Sequence, residues 1–583
     1  CTLSDTDLLA WWPTMIAAYS RHARALHGQR CYERRRADAA LQHAQTHVTD
    51  ALARVAQAGP EQLPSTLAHA TQARQALHDL ESRTSTTMVK ECAQSWLHSG
   101  ERPSPLLTKL LQPPAHASTI PQLQDSNNQP LTTPPAIAER LVQHFASVSG
   151  PRVVHLPSQQ AVLDSLRDQI AAGSVHCLPA DLAEAAGAAE VSTEEVVAAL
   201  TRCQWDSSPG PDGLPYTLWT LGGGVWAPLL ARFFTAIART GTMPTDFNLG
   251  VITSLLKPDA ADPTQPSAYR PITLLNTLYR ILAKVIAARF NLVMQHAIGP
   301  EQTAYLRGRL IGDNVAFTSL LPHVLHALGL SGALIIVDIA KAYDTVHREF
   351  AYSIMHTMGA SAGLINWARL LLHDTRACAR ANGAVSSIQT WHAGVRQGCP
   401  LSPVLYLFVA QALASWLRSQ PQLGITVDNR RYVSGHHSDD TNVALANTAP
   451  ATLQALHNTF DTFSQASGQC IHPHKSKVLL LGPGHPYPAP PTLAGMEVVS
   501  EVRSLGIIAS NVPPPRPPRA TRYPTRATLR PPAEPSPAPL PLFTNSWAKR
   551  LTTANRCVDR VMRLPISKIS FFLSEHTRQG AAD

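Results

Sequence analysis

Five apolar residues in a row, Ala333-Leu334-Ile335-Ile336-Val337, run directly into a carboxylate, Asp338. A run of that length and composition reads as a strand buried on both faces. Burying an unpaired charge is expensive, so Asp338 needs a partner or a task. A second acidic site follows roughly a hundred residues later. There Tyr432-Val433-Ser434-Gly435-His436-His437-Ser438-Asp439-Asp440-Thr441-Asn442-Val443-Ala444-Leu445 reads as a hairpin with an acidic pair at its turn. Taken alone, an Asp-Asp pair in a turn is usually a solvated loop. Carboxylates brought together from separate strands, however, are what a two-metal phosphoryl-transfer site requires, because Mg²⁺ binds poorly without anionic oxygen ligands. Spacing by itself leaves the adjacency of Asp338 and Asp439 open.

The rest of the chain bounds the reading. Its 583 residues, 44% of them hydrophobic, suffice for several domains or one large multi-lobed body. Of 48 prolines, twelve fall between Pro513 and Pro541, which excludes a helix or interior strand there. The net charge is +9, and residues 513–583 carry 12 Lys and Arg against 4 Asp and Glu, so +8 of it sits at the C-terminal end. Such a segment suits a phosphate backbone, or is simply a solvated basic tail. Nine scattered cysteines without a Cys-x-x-Cys pair point to a reducing compartment and against a disulfide framework or zinc ribbon. Cys470-Ile471-His472-Pro473-His474 reads as an ordinary loop, not a metal site. No signal peptide or membrane-spanning run is visible, and Val404 to Leu417 reads as a core helix. A first residue of Cys1 suggests a fragment of a longer product.

Residues 1–100 have helical spacing (Leu67, Ala70, Ala73, Leu77, Leu80) and read as a helical linker or arm. Residues 101–190 read as an irregular connector with short helices, among them Pro135 to Ser147, and the compact part is expected from about Val191. A helix starting after Ser192 or Thr193 as cap, a turn-dense loop Ser207-Ser208-Pro209-Gly210-Pro211-Asp212-Gly213, a helix Val225 to Arg239, strands at Gly250–Pro258 and Ser267–Leu275, and a helix Thr277 to Met294 follow.

Several blocks carry a resemblance. Asp338-Ile339-Ala340-Lys341-Ala342-Tyr343-Asp344, Gly394-Val395-Arg396-Gln397-Gly398-Cys399-Pro400-Leu401-Ser402-Pro403 and Ser438-Asp439-Asp440-Thr441 resemble, in order and spacing, the three central motifs of the reverse transcriptases of non-LTR (LINE-type) retrotransposons. The resemblance runs from about Ser207 to Gly506, roughly half the chain. It implies an α+β right-hand polymerase: fingers over 191–330, a palm over 331–482 with an antiparallel sheet backed by helices, a primer-grip hairpin over 483–512, a Pro/Arg-rich insert over 513–541 and a partial helical thumb over 542–583.

The same resemblance assigns roles. Asp338, Asp439 and, as the weaker ligand, Asp440 are implied to bind two Mg²⁺ ions, for which Mn²⁺ can substitute, with the carbonyl of Ile339 as an extra ligand. Lys257 and Arg270 match the basic fingers residues that clamp a triphosphate, and Lys475 matches the lysine proposed as general acid toward pyrophosphate. Gln397 and Gly398 are expected at the nascent pair, glycine permitting a close backbone approach. Tyr343 matches the aromatic gate that excludes a ribose 2′-hydroxyl, which favours deoxynucleotides and disfavours an RNA-templated RNA polymerase. Leu505-Gly506 matches the primer grip, and Arg307 and Arg309 match template-side residues that contact phosphates. Asp344 is expected to cap the following helix.

The implied activity is RNA-directed DNA synthesis, with an RNA template, a DNA primer or target and dNTPs as partners, no membrane, and an intracellular ribonucleoprotein in nucleus or cytoplasm. Two departures count against it. His437 and Ser438 stand where the family has an aromatic residue and Ala, and His472 stands where it has Asn. With a thumb interrupted by the Pro/Arg-rich insert, the His437 and Ser438 change makes an inactive nucleic-acid-binding remnant the alternative.

Overall fold

The run 332–337 forms the axis of the molecule because both of its faces are apolar. In the computed structural model, which describes residues 3–80, 119–153, 155–204, 207–258, 260–427, 429–482 and 489–511, nine strands and seven helices position the site. They are β1 (Leu249–Leu256), β2 (Tyr269–Leu275), β3 (Gly332–Val337), β4 (Thr375–Ala381), β5 (Ser434–His437), β6 (Asp440–Leu445), β7 (Lys477–Leu481), β8 (Thr492–Leu493) and β9 (Met496–Val499), with helices α1 (Asp5–Gln57), α2 (Pro134–Val148), α3 (Gly223–Thr240), α4 (Thr277–Met294), α5 (Ile311–Leu328), α6 (Ser402–Ser419) and α7 (Pro450–Ser467).

The larger sheet has the order β5-β6-β3-β7-β9-β8. β3 pairs antiparallel with both neighbours, Val337 opposite Thr441 on one side and Ile336 opposite Lys477 on the other. The two-residue side-chain period of a strand sends alternate residues into two separate cores. Ala333, Ile335 and Val337 join the main core with Val443, Leu445, Val478 and Leu480, whereas Leu334 joins Ala444, Leu479, Leu481, Leu321 and Leu325 beneath α5. Each fully buried Leu or Ile contributes about 1.5–3 kcal/mol, so a one-residue slip of β3 would lose many such terms at once. α6, buried along nearly its whole length, and α4 fill the main core.

A second sheet is built on β2-β1-β4, with β1 and β4 parallel and Leu256 opposite Tyr269 at the outer end. Sequence expectation and structure agree on α4, and differ by a residue or two at the ends of α2, α3, β1 and β2. Ser192 caps the helix Thr193–Thr201 through a capping box with Glu195.

Three expectations need correction. Neither sheet is purely antiparallel, since β7 and β9 pair in parallel, and so do β1 and β4. Nor does the larger sheet end at 482; Met496–Val499 extends it. Finally, the compact body begins before Val191. α2 buries Ile137, Leu141 and Val142 against Ile252, Ala377 and Ala379 of the second sheet, and the start of α1 is docked as well, with Trp12 stacked on Phe233 of α3 at 3.7 Å. Both apolar runs are visible in the sequence, but a local run does not show which distant element covers it. The expected Pro/Arg-rich insert and thumb, and residues 81–118, lie outside the described residues.

Candidate active site

The register of β3 and β6 brings the acidic groups together. Thr441 lies opposite Val337, so Asp440 and Asp338 are the next residues outward on adjacent strands, and Asp439 occupies the turn before them. Among the described residues none of the three has an ion-pair partner. Burial raises the Asp440 carboxyl to about 6, and the charges of Asp439 and Asp338 push it the same way. Three uncompensated carboxylates at one sheet edge form a focus of negative potential. Among the described residues, no group of three or more His, Cys, Asp or Glu side chains is placed to hold a metal ion by itself. Mg²⁺ is commonly held by one or two carboxylates together with substrate phosphates, not by an all-protein cage, so an open acidic edge suits it.

The backbone of Asp338 is fixed from the other side. Its N–H donates to Ser476 Oγ at 3.1 Å and its carbonyl accepts from His472 N–H at 2.8 Å. The loop carrying these residues thereby sets Lys475 beside the acidic edge.

A cleft of about 730 Å³ opens here between the two sheets. Asp338, Asp439, Lys257, Arg270, Tyr343, Gln397, Gly398 and Lys475 all line it, although they derive from segments more than 200 residues apart. Ile339, Asp440, Arg307, Arg309, Leu505 and Gly506 do not line it. Leu505 (φ 50°) and Gly506 (φ 81°) form the turn of a hairpin, Glu501–Ser504 with Ile507–Ser510, with two left-handed residues as a tight hairpin requires. Arg307 is exposed.

Arg309 is a correction. Its terminal nitrogens donate to the carbonyls of Ile298 (2.5 Å), Gly299 and Gln302 (2.7 Å), and burial lowers its pKa. It braces the loop before α5 and does not present a charge to a phosphate. Asp344 is another: it accepts from Gln397 Nε2 at 3.1 Å, while His347 caps the helix that follows. Gly398 corrects the reason for a glycine. At φ 111° any Cβ would stand 2.3 Å from the carbonyl oxygen of Thr273, so the close approach is to β2. This contact, together with the Thr273 N–H bond to Gln397 O at 2.9 Å, locks the loop onto the second sheet.

Sequence reasoning missed four further groups. Lys341, held at φ 51°, lines the cleft; burial lowers its pKa, and Asp344 opposes this. His144 reaches the cleft from α2, with Nε2 buried and without a partner; burial, followed by Lys341, Arg140 and Lys257, pulls it down to about 4. Gln302, 1% exposed, holds Ser438 by both backbone groups, its Oε1 accepting the N–H at 2.8 Å and its Nε2 donating to the carbonyl at 3.2 Å. Thr303 Oγ1 meets His437 Nδ1 at 3.0 Å. For Lys341, Gln302 and Thr303 the only sequence signal was proximity to the motifs, and for His144 there was none.

Residues 255–509 match the family model described as reverse transcriptase (RNA-dependent DNA polymerase). That segment is a reverse transcriptase domain, and the relatives that the chain resembles are transposon and retrotransposable-element proteins. It is similar to the transposon TX1 uncharacterized 149 kDa protein of Xenopus laevis, 24% identical over 70% of this chain and 30% of that protein. It also resembles the Pol polyprotein of the retrotransposable element R2DM of Drosophila melanogaster, at 26% over 47% of this chain and 26% of the relative. A third relative is the probable RNA-directed DNA polymerase from transposon BS of the same fly, 26% identical over 54% of this chain and 35% of that protein. The chain thus spans only about a third or less of the first relatives' own length. A polymerase fold of fingers and palm follows for the matched segment, and the described residues form a mixed helix and sheet structure. No described helix is long and apolar enough to cross a membrane.

Proposed function

We propose that this reverse transcriptase extends a DNA 3′ end on an RNA template by a two-Mg²⁺ nucleotidyl transfer in the cleft between the sheets. The observation that carries the reading is the β3–β6 register, which brings Asp338 and Asp440 to one edge with Asp439 beside them at the mouth of a basic cleft. Asp338 and Asp439 would hold the ions, with Asp440 as the outer carboxylate and the Ile339 carbonyl as an accessory ligand; Mn²⁺ has the same ligand preference. Bound there, the metals supply activation of the attacking hydroxyl and charge neutralisation of the triphosphate.

The chain's own groups perform the rest. Lys257 and Arg270 at the outer end of β1–β2, with Lys341, give a cationic wall for the triphosphate. Lys475 faces the same cleft and is available as a proton donor to pyrophosphate. Gln397, anchored to Asp344 and to β2, forms the floor under the nascent pair. Tyr343 stacks on Tyr406 at 4.7 Å and stands as the sugar gate. Leu505-Gly506 and Arg307 do not line the cleft, and their primer and template roles rest on the motifs they match. Packaging with RNA inside the cell accords with this activity.

The departures at His437 and Ser438 are accommodated locally, since both side chains have partners, Thr303 and Tyr343 respectively. The test is primer extension on poly(rA)/oligo(dT) with Mg²⁺. Extension by the wild type, abolished in Asp439→Ala, supports the reading. An equal absence of signal from both, with RNA still bound, overturns it in favour of the remnant.

A further inference from the structure

Tyr343 comes from the segment after β3 and Ser438 from the β5–β6 turn, yet their hydroxyl oxygens lie 2.7 Å apart. Ser438 is well placed to restrain a partner. It is 6% exposed, and Gln302 grips its backbone on both sides. Gln302 is itself fixed, since its Oε1 also accepts from Ala304 N–H at 3.0 Å. The tyrosine ring has one further constraint, its stack on Tyr406, whose own hydroxyl accepts from Gln469 Nε2 at 3.2 Å. Its other hydroxyl neighbour, Tyr305, is at 3.4 Å and is exposed. Stacking fixes the plane of a ring but lets it slide, whereas a hydrogen bond at the ring's tip fixes how far it reaches.

Building on the gate role of Tyr343, we propose that the Ser438 hydroxyl, positioned by Gln302, latches the gate and sets how strictly this enzyme excludes a ribose. The latch ties sugar selection to the same turn that carries Asp439. Burial keeps the Tyr343 phenol protonated, so the bond persists across the working pH range. Ser438 is a positioning residue, acting on the substrate through Tyr343.

Ser438 sits at φ 62°, where Ser and Ala are equally strained, so Ser438→Ala removes the hydroxyl and little else. The experiment measures the ratio of kcat/KM for dTTP over UTP on poly(rA)/oligo(dT) for wild type, Ser438→Ala, Tyr343→Phe and the double variant. A ratio cancels any loss of active protein. Loss of one ordinary hydrogen bond predicts a ratio about fivefold lower in each single variant. The double variant should fall no further than either single one, because the same bond is removed once. A Ser438→Ala ratio within about twofold of wild type, or independent effects that multiply in the double variant, overturns the latch. A wild type that incorporates no dTTP instead overturns the polymerase reading, a distinct failure seen before any ratio is formed.

Discussion

Gly398→Ala is the sharpest probe of how the second sheet holds the Gln397–Gly398 loop. At φ 111° an L-residue is disfavoured, which costs about 1–3 kcal/mol. The added methyl would also stand 2.3 Å from Thr273 O and 3.3 Å from its carbonyl carbon. Both atoms are backbone of a paired strand, so β2 cannot yield cheaply, and overpacking of this kind costs about 1–3 kcal/mol. The loop must lift, stretching the 2.9 Å bond from Thr273 N–H to Gln397 O. The two costs together come to about 4 kcal/mol, which corresponds to a fall in Tm of about 4 °C for a body of this size. Because Gln397 moves with the loop, kcat/KM for dNTP should fall as well, by about a hundredfold for a displacement near 1 Å. Gly308→Ala is the control: φ is +80° there, but nothing lies within 4 Å of the Cβ position, so only the backbone term of about 1 kcal/mol remains. Thermal melts and steady-state extension of both variants are the assay. A Gly398→Ala protein that melts and turns over like Gly308→Ala would refute the packing argument.

Three further outcomes are expected. Arg289→Met removes a guanidinium, 6% exposed, that binds both oxygens of Glu195 (2.5 and 2.8 Å) and the carbonyl of Ala188; denaturant melts should show a loss of about 3–5 kcal/mol. Burial pushes the Glu195 carboxyl up, but Arg289 and the Ser192 N–H outweigh it and hold the group below its ordinary 4.5. The pair's contribution is therefore present at neutral pH and lost as the pH falls below that value, so the gap between wild type and Arg289→Met should narrow in acid; a pH-independent gap would count against the pairing. Arg309→Ala should lower stability by orphaning three carbonyls while leaving the salt dependence of template binding unchanged; a slope reduced by about one unit would return Arg309 to a phosphate. His437→Tyr should leave turnover equal or lower, since it sacrifices the 3.0 Å bond to Thr303; a clear gain in rate would mark His437 as damage after all.

Much of the site was legible in the sequence because its motifs are local. Apolar runs and turn residues located β3, the β5–β6 hairpin and α4, and eight of the anticipated site residues do line one cleft. The misreadings have a common origin. Arg309, Asp344 and Gly398 were read from the motifs they stand in, but their partners are backbone groups or side chains brought in by other elements: Ile298 and Gly299, Gln397, and Thr273. His144 went unnoticed because a lone histidine in an amphipathic helix has no pattern that marks which way it faces.

The amino-acid sequence by itself determined that buried strands would end in carboxylates and that an acidic turn would lie in a hairpin, since both follow from periodicity and turn chemistry over a few residues. Tertiary structure decided which strands became neighbours. Val337 meets Thr441, and Tyr343 meets Ser438 across 95 residues, because two cores on opposite faces of β3 fix one register among several that the alternation alone would allow. Registry is a property of packing summed over the whole sheet, and no local stretch of sequence contains it.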